Sequence, residues 1–189
     1  MKSVLISIQP KWCELIANGK KTVEVRKTRP KLDVPFKVYI YQTKKPVAVS
    51  FNGTGKHISE YDKTYYYNKR SGKVIGEFVC DSIEEIGYSP EMHGKYISDI
   101  IDLHKVTCID FEQMFDYIAD GWGYGWHISD LAIYDTPQEL GEFYKMCPSF
   151  FKDEWENDDC LDCENPCGNG GKIYLKRPPQ SWCYVEDLK

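Results

Sequence analysis

The sequence predicts one domain of mixed α+β structure in which strands predominate and helices are short. Three observations predict it. A length of 189 residues suits a single core without a second full domain. Several short runs, at residues 4–8, 36–41 and 73–86, are rich in β-branched and aromatic residues or alternate apolar with polar. Helical spacing persists for only two or three turns at a time and is bounded by Pro, Asp or Gly.

Each element has its own signal. Residues 4–8 read as a strand; Pro10 then suits a first helical turn, Trp12, Leu15 and Ile16 share one face, and Gly19 supplies the stop. Residues 19–26 (GKKTVEVR) alternate as a half-buried strand should, with Thr22, Glu24 and Arg26 on one face and Val23 and Val25 on the other. Pro30 and Pro35 break the chain before a strand at 36–41, which residues 47–51 are expected to continue. Residues 52–73 are polar and tyrosine-rich, an exposed excursion whose rings and Lys63, Lys69 and Arg70 either meet a nucleotide or pin the loop. Residues 73–86 (KVIGEFVCDSIEEI) form a long central strand, with Gly76 at a bulge or close approach. A helical turn is expected at 98–103. Asp110 caps a helix whose third position is Gln113, with Phe111, Met114, Phe115 and Ile118 toward the core and Gly121 at its end. Residues 122–134 join a Gly/aromatic turn to a strand. Residues 136–139 (TPQE) combine a capping box with a first-turn Pro, predicting a helix toward Tyr144. A final hairpin is expected from 171–175 and 182–185.

Composition narrows the function classes. With 14% aromatic and 28% charged residues the chain is globular, not disordered. No apolar run is long enough to span a membrane, and the N-terminus lacks a signal-peptide core, so a cytoplasmic location is expected. The net charge of -5 argues against indiscriminate nucleic-acid binding, but seven acids fall between Asp153 and Glu164 without a base; -5 + 7 leaves +2 elsewhere. Residues 18–31 hold six Lys or Arg and one acid, Glu24. The acidity is local, and so is the basic patch.

That patch sets Lys21, Glu24 and Arg26 side by side. The ordinary alternative is a charged strand face turned to solvent. If Glu24 pairs with Arg26, Lys21 is left to react; if it pairs with Lys21, a fixed cation for binding results. Residues 122–126 (WGYGW) interleave glycine with rings that can face one way, so Trp122, Tyr124 and Trp126, with Tyr41, are candidate stacking faces, and His127 a candidate base contact. A packed aromatic turn and a structural histidine are the alternatives.

Of eight cysteines, Cys13, Cys80, Cys108 and Cys183 sit among apolar neighbours as buried thiols would. Cys147, Cys160, Cys163 and Cys167 form a C-x12-C-x2-C-x3-C pattern that can converge on one tetrahedral zinc. An iron–sulfur cluster, reduced thiols or a local disulfide are its alternatives. Residues 147–170 thus read as a Cys-rich acidic insertion in a single domain spanning 1–189.

The pattern Gly19-x-Lys21-x-x-Glu24-x-Arg26 resembles the GxKxxExR signature of the ASCH family, a branch of the PUA-like superfamily, where it likewise follows a short strand and helix. The ending KRPPQSWCYVE, with WHISDLAIYDTP before it, is similar to phage and prophage-associated members, so the resemblance runs from Leu5 to Glu186. It implies a PUA-like β-barrel with short helices packed at its ends and a cleft beside the motif for RNA, a nucleotide or a modified nucleoside. One bacterial branch hydrolyses the amide of N-acetylated cytidine. Carried over, Lys21 would be base or nucleophile, Glu24 its acid partner and Arg26 the clamp. RNA or modified-nucleoside binding is therefore the first expectation and an amidohydrolase acting on an N-acylated nucleoside the second. A protein-interaction module using the acidic Cys loop is the third.

Overall fold

A computed structural model describes residues 2–44, 47–48, 65–66, 69–89, 95–98, 100–118, 121–147 and 170–188. Their centre is a seven-stranded sheet built from β1 (Lys2–Ile8), β2 (Val23–Arg26), β3 (Phe36–Gln42), β6 (Val74–Ser89), β7 (Lys95–Ile97), β8 (Trp122–Gln138) and β11 (Trp182–Glu186). The strand order is β11-β1-β3-β6-β8-β2, with β7 pairing the far end of β6. Two short ladders lie apart: β4 (Val47–Ala48) with β5 (Tyr65–Tyr66), and β9 (Tyr144–Met146) with β10 (Lys172–Tyr174). The helices α1 (Pro10–Ala17), α2 (Leu103–Thr107) and α3 (Phe111–Tyr117) are short, so the class is α+β as the sequence predicts. Among the described residues no helix is long and apolar enough to cross a membrane.

Strands β1 and β3 pair in parallel, which follows from chain order: α1 and β2 intervene and provide the crossover that parallel strands need. β1 is buried on both faces, and β3 divides its side chains between two cores. Phe36, Val38 and Ile40 pack with Val4, Ile6, Phe78 and Trp126, whereas Tyr39 and Tyr41 pack with Leu5, Val74, Phe143 and Val185 on the other side. A third cluster joins Val23 and Val25 to Ile86, Leu103, Met114 and Ile118, so α2 and α3 cover the apolar face of β2. The opposite face of β2 carries Glu24 and Arg26 inward.

Gly76 sits at a register shift between β6 and β8, and a Cβ there would run into the Ala132 carbonyl oxygen. Only glycine lets the two backbones approach so closely. Gly19, at φ +67°, ends α1 and turns the chain so that Lys20 and Lys21 both donate their backbone N–H to Leu15 O.

Backbone pairing stops at β11 and β2, so the ladder does not close into a barrel among the described residues. Side chains cross the seam instead. Trp182 Nε1 donates to Thr28 Oγ1 at 3.1 Å, Lys31 N to the Tyr184 hydroxyl at 2.7 Å, and Arg26 Nη2 to Ser7 O at 2.7 Å.

Several elements differ from expectation. Residues 136–138 continue β8, because Gln138 pairs with Val74; the capping box forms at Glu139 and Glu142 and opens only a single 3-10 turn, Leu140–Glu142. The expected terminal hairpin is absent among the described residues: β10 pairs with β9, and β11 with β1. Val47 and Ala48 belong to a separate ladder instead of extending β3. Helix α2 starts at Leu103, where the turn expected at 98–103 would have ended.

Candidate functional site

Lys21, Glu24 and Arg26 are 1%, 5% and 6% exposed. The solvent-facing alternative is therefore wrong: Glu24 pairs with both cations and all three are inside. Long charged side chains are buried only when paired, and here one carboxylate is shared by both cations. Glu24 Oε2 lies 3.3 Å from Lys21 Nζ and Oε1 lies 2.9 Å from Arg26 Nη2. Lys21 Nζ also donates to Val23 O at 3.0 Å and Thr107 O at 2.7 Å. Three acceptors match the three N–H donors of an ammonium, and the Trp12 ring lies 5.2 Å away. Arg26 reaches Ser7 O and, more weakly, Ser181 Oγ at 3.4 Å, while its buried Nε has no partner among the described residues.

This trio walls a cavity of about 540 Å³ at the seam of the sheet. Trp12 from α1 and Tyr117 from α3 contribute rings, Thr43 a buried hydroxyl without a partner among the described residues, and Gln9, Gln113, Gln180 and Ser181 further polar groups. Burial raises the Tyr117 phenol pKa, and the charge and hydrogen bonding of Arg26 draw it partly back. Behind the wall, burial and the charge of Glu24 push the Cys13 thiol far up, so it is an inert core group.

The aromatic candidates are placed differently. In the β2–β8 ladder Glu24 pairs with Trp126 and Arg26 with Tyr124, so those rings share the motif's face. Trp126 is nevertheless completely buried, edge-on to Phe36 and tilted against Trp182, and serves as core beneath the motif. Tyr124 lies under the Arg29 guanidinium and packs on the same core. Trp122 is 64% exposed, beside Gly87. His127 Nε2 lies 3.3 Å from Glu84 Oε1, and Tyr41 belongs to the core on the other side of the sheet. None of these five lines the cavity. Gln9, Trp12, Thr43, Gln113, Tyr117 and Gln180 do, and the sequence alone marks none of them as a site residue. Only Gln9 and Trp12 carry a sequence signal, their position in the helix entry that precedes the motif.

Cys147 is buried next to β9, and Cys160, Cys163 and Cys167 lie outside the described residues. Among the described residues no group of three metal-ligating side chains converges.

An ion-walled cavity at the seam of a small α+β sheet is the class of site this fold defines. The ASCH domain model matches residues 6–118, more than half of the chain, and the chain belongs to the ASCH family. No curated protein matches it in sequence. Among solved structures it is similar to ASCH from Zymomonas mobilis, at 17% identity over 73% of this chain and 73% of that one, with a TM-score of 0.48. A tyrosine-to-phenylalanine mutant of that protein matches at 17% identity, 74% and 77% coverage and a TM-score of 0.49. A serine-to-alanine mutant matches at 15% identity over 97% of this chain and 88% of that one, with a TM-score of 0.54. The last of these shows a shared fold.

Proposed function

We propose that the protein binds RNA or a modified nucleoside, holding one base in the cavity walled by Lys21, Glu24 and Arg26. One observation carries this reading: Arg26, a buried cation, lines the cavity and keeps one donor, its Nε–H, without a partner among the described residues. The cavity's volume suits a ligand of nucleoside size, its ionic wall carries one net positive charge, and Trp12 and Tyr117 offer ring faces for a base. Exposed Lys27, Arg29 and Lys31 continue from the wall. Lys27 Nζ lies 5.7 Å over the Tyr117 ring and Arg29 5.8 Å from the Tyr124 ring, and a second hollow of about 620 Å³ opens at Arg29 and Lys31. A polynucleotide backbone leaving the cavity would meet these cations. Fluorescence anisotropy with labelled single-stranded RNA, and NMR titration with nucleosides, test the reading. Saturable binding of either is expected; none up to millimolar concentration of both overturns it.

The amidohydrolase alternative asks Lys21 to act as base or nucleophile, yet all three of its donor positions are already engaged, by Val23 O, Thr107 O and Glu24. That favours binding. Deacetylation of N-acetylated cytidine by the wild type, lost in Lys21→Ala, would reverse the preference. The same reading takes the domain as a cytoplasmic, phage-associated, PUA-like barrel whose seam is closed by side chains, with Cys147, Cys160, Cys163 and Cys167 holding a structural zinc. About one zinc per chain supports that last element, and under roughly 0.2 with free thiols removes it.

A further inference from the structure

The chain contains five glutamines, at positions 9, 42, 113, 138 and 180, and three of them line the cavity beside Arg26. Gln9 precedes α1, Gln113 is the third residue of α3, and Gln180 lies just before β11. Segments far apart in sequence thus deliver the same uncharged group to one mouth. Solubility does not require this, because Lys or Glu would serve an exposed rim as well. Nor does the fold: no hydrogen bond engages any of the three carboxamides among the described residues.

A carboxamide presents a donor and an acceptor side by side in one plane, the complement of a nucleobase edge. A phosphate would be met by cations and not by amides. Arg26 and Thr43 also line the cavity, and Arg26 Nε–H and the Thr43 hydroxyl are buried behind that lining without a partner among the described residues. We infer that the mouth is a base-reading subsite: Gln9, Gln113 and Gln180 hydrogen-bond the edge of the bound base and set which base is accepted. This rests on the nucleoside-binding reading above and adds selectivity to it.

Gln113→Glu and Gln180→Glu test the inference. Both side chains are exposed, and Glu is favourable at the third position of a helix capped by Asp110, so the variants should fold. Carboxylates only accept, so bases presenting an amino group at that point are kept and those presenting a carbonyl are rejected. NMR titration compares adenosine, guanosine, cytidine, uridine and N-acetylated cytidine, whose lack of phosphate removes simple charge repulsion. The ratios of dissociation constants among bases should change by about 5- to 100-fold in at least one variant. Gln113→Ala and Gln180→Ala, with thermal midpoints as a folding check, should flatten selectivity. If the wild type binds nucleosides but every variant keeps its ratios within about twofold, the base-reading role is overturned while the binding reading stands. If the wild type binds none of the five nucleosides yet binds single-stranded RNA, the base-reading role is likewise overturned and the binding reading stands on its RNA arm. If it binds neither, both fall.

Discussion

Replacing Glu24 by Gln keeps the shape of the side chain and removes the charge between two buried cations. At separations of 3.3 and 2.9 Å each attraction is worth about 5 kcal/mol at an effective dielectric of about 20. Desolvation of the three ions offsets much of that in the wild type. In the variant it remains uncompensated for Lys21 and Arg26, and removing one member of such a buried group typically costs about 3–5 kcal/mol. For a chain of this length the melting midpoint should fall by about 6–20 °C. Urea unfolding followed by tryptophan fluorescence reads the loss directly, since Trp126 sits fully buried beneath the motif. Glu14→Gln, on the exposed side of α1, is the control and should change stability by under about 0.5 kcal/mol. Combining Glu24→Gln with Lys21→Met should cost less than the sum of the two, because the second change removes a stranded cation. A Glu24→Gln loss below about 1 kcal/mol, the size seen for exposed pairs, would refute the buried-network account.

Three further outcomes are expected. Gly76→Ala should destabilise by about 1–3 kcal/mol or more in the same assay, because its methyl would meet the Ala132 carbonyl and the Ile133 backbone; a change under about 0.5 kcal/mol would contradict the close approach. Lys27→Ala and Arg29→Ala should each lower the salt slope of single-stranded RNA binding by about 0.7 for every phosphate no longer neutralised, with folding intact; unchanged slopes would remove the exposed strip from the binding surface. Burial works to raise the Asp187 carboxyl pKa, but hydrogen bonds from Tyr39 and Lys37 and the Lys37 charge outweigh it and hold the group below its ordinary value. Its stabilising contribution is thus present above about pH 4 and lost as pH falls through the lowered value. The wild type should melt above Asp187→Asn at pH 6 and together with it at the acid end, and a pH-independent gap would refute the linkage.

How much could be read in advance depended on how local the determining interaction was. Pro10 and Gly19 bound α1 because their effects are fixed by their own backbone. The central β6 was legible from its apolar run, and Gly76 marked its bulge. Cys13 and Cys80 proved buried among apolar neighbours, with burial raising the Cys80 thiol to about 12. The capping signal at 136–139 misled by a few residues, since pairing with β6 claims the strand through Gln138 and the buried Phe143 ends the turn after it. The terminal strands look like a hairpin because they are neighbours in sequence, yet each finds its partner elsewhere.

The site divides the same way. Lys21, Glu24 and Arg26 lie within six residues, so their association could be seen, whereas their burial could not: an alternating charged strand looks like a wet face until its partners are known. Thr43, Gln113, Tyr117 and Gln180 reach the cavity from other segments and carry no local mark. The rings of β8 are conspicuous in sequence, yet Trp126 and Tyr124 are employed as packing and Trp122 lies exposed, away from the cavity lining.

The seam of the sheet gives the cavity two sets of side chains with different tolerances to change. Arg26 holds β2 to β1 by its bond to Ser7 O, and Glu24 and Lys21 are buried with it, so altering this wall threatens the fold before it alters recognition. Gln113 and Gln180 face the same space from exposed positions, and exchanging them costs the fold little. Relatives could therefore diverge in what they recognise at the rim while inheriting an unchanged frame, and a redesign of ligand preference has its natural starting points there.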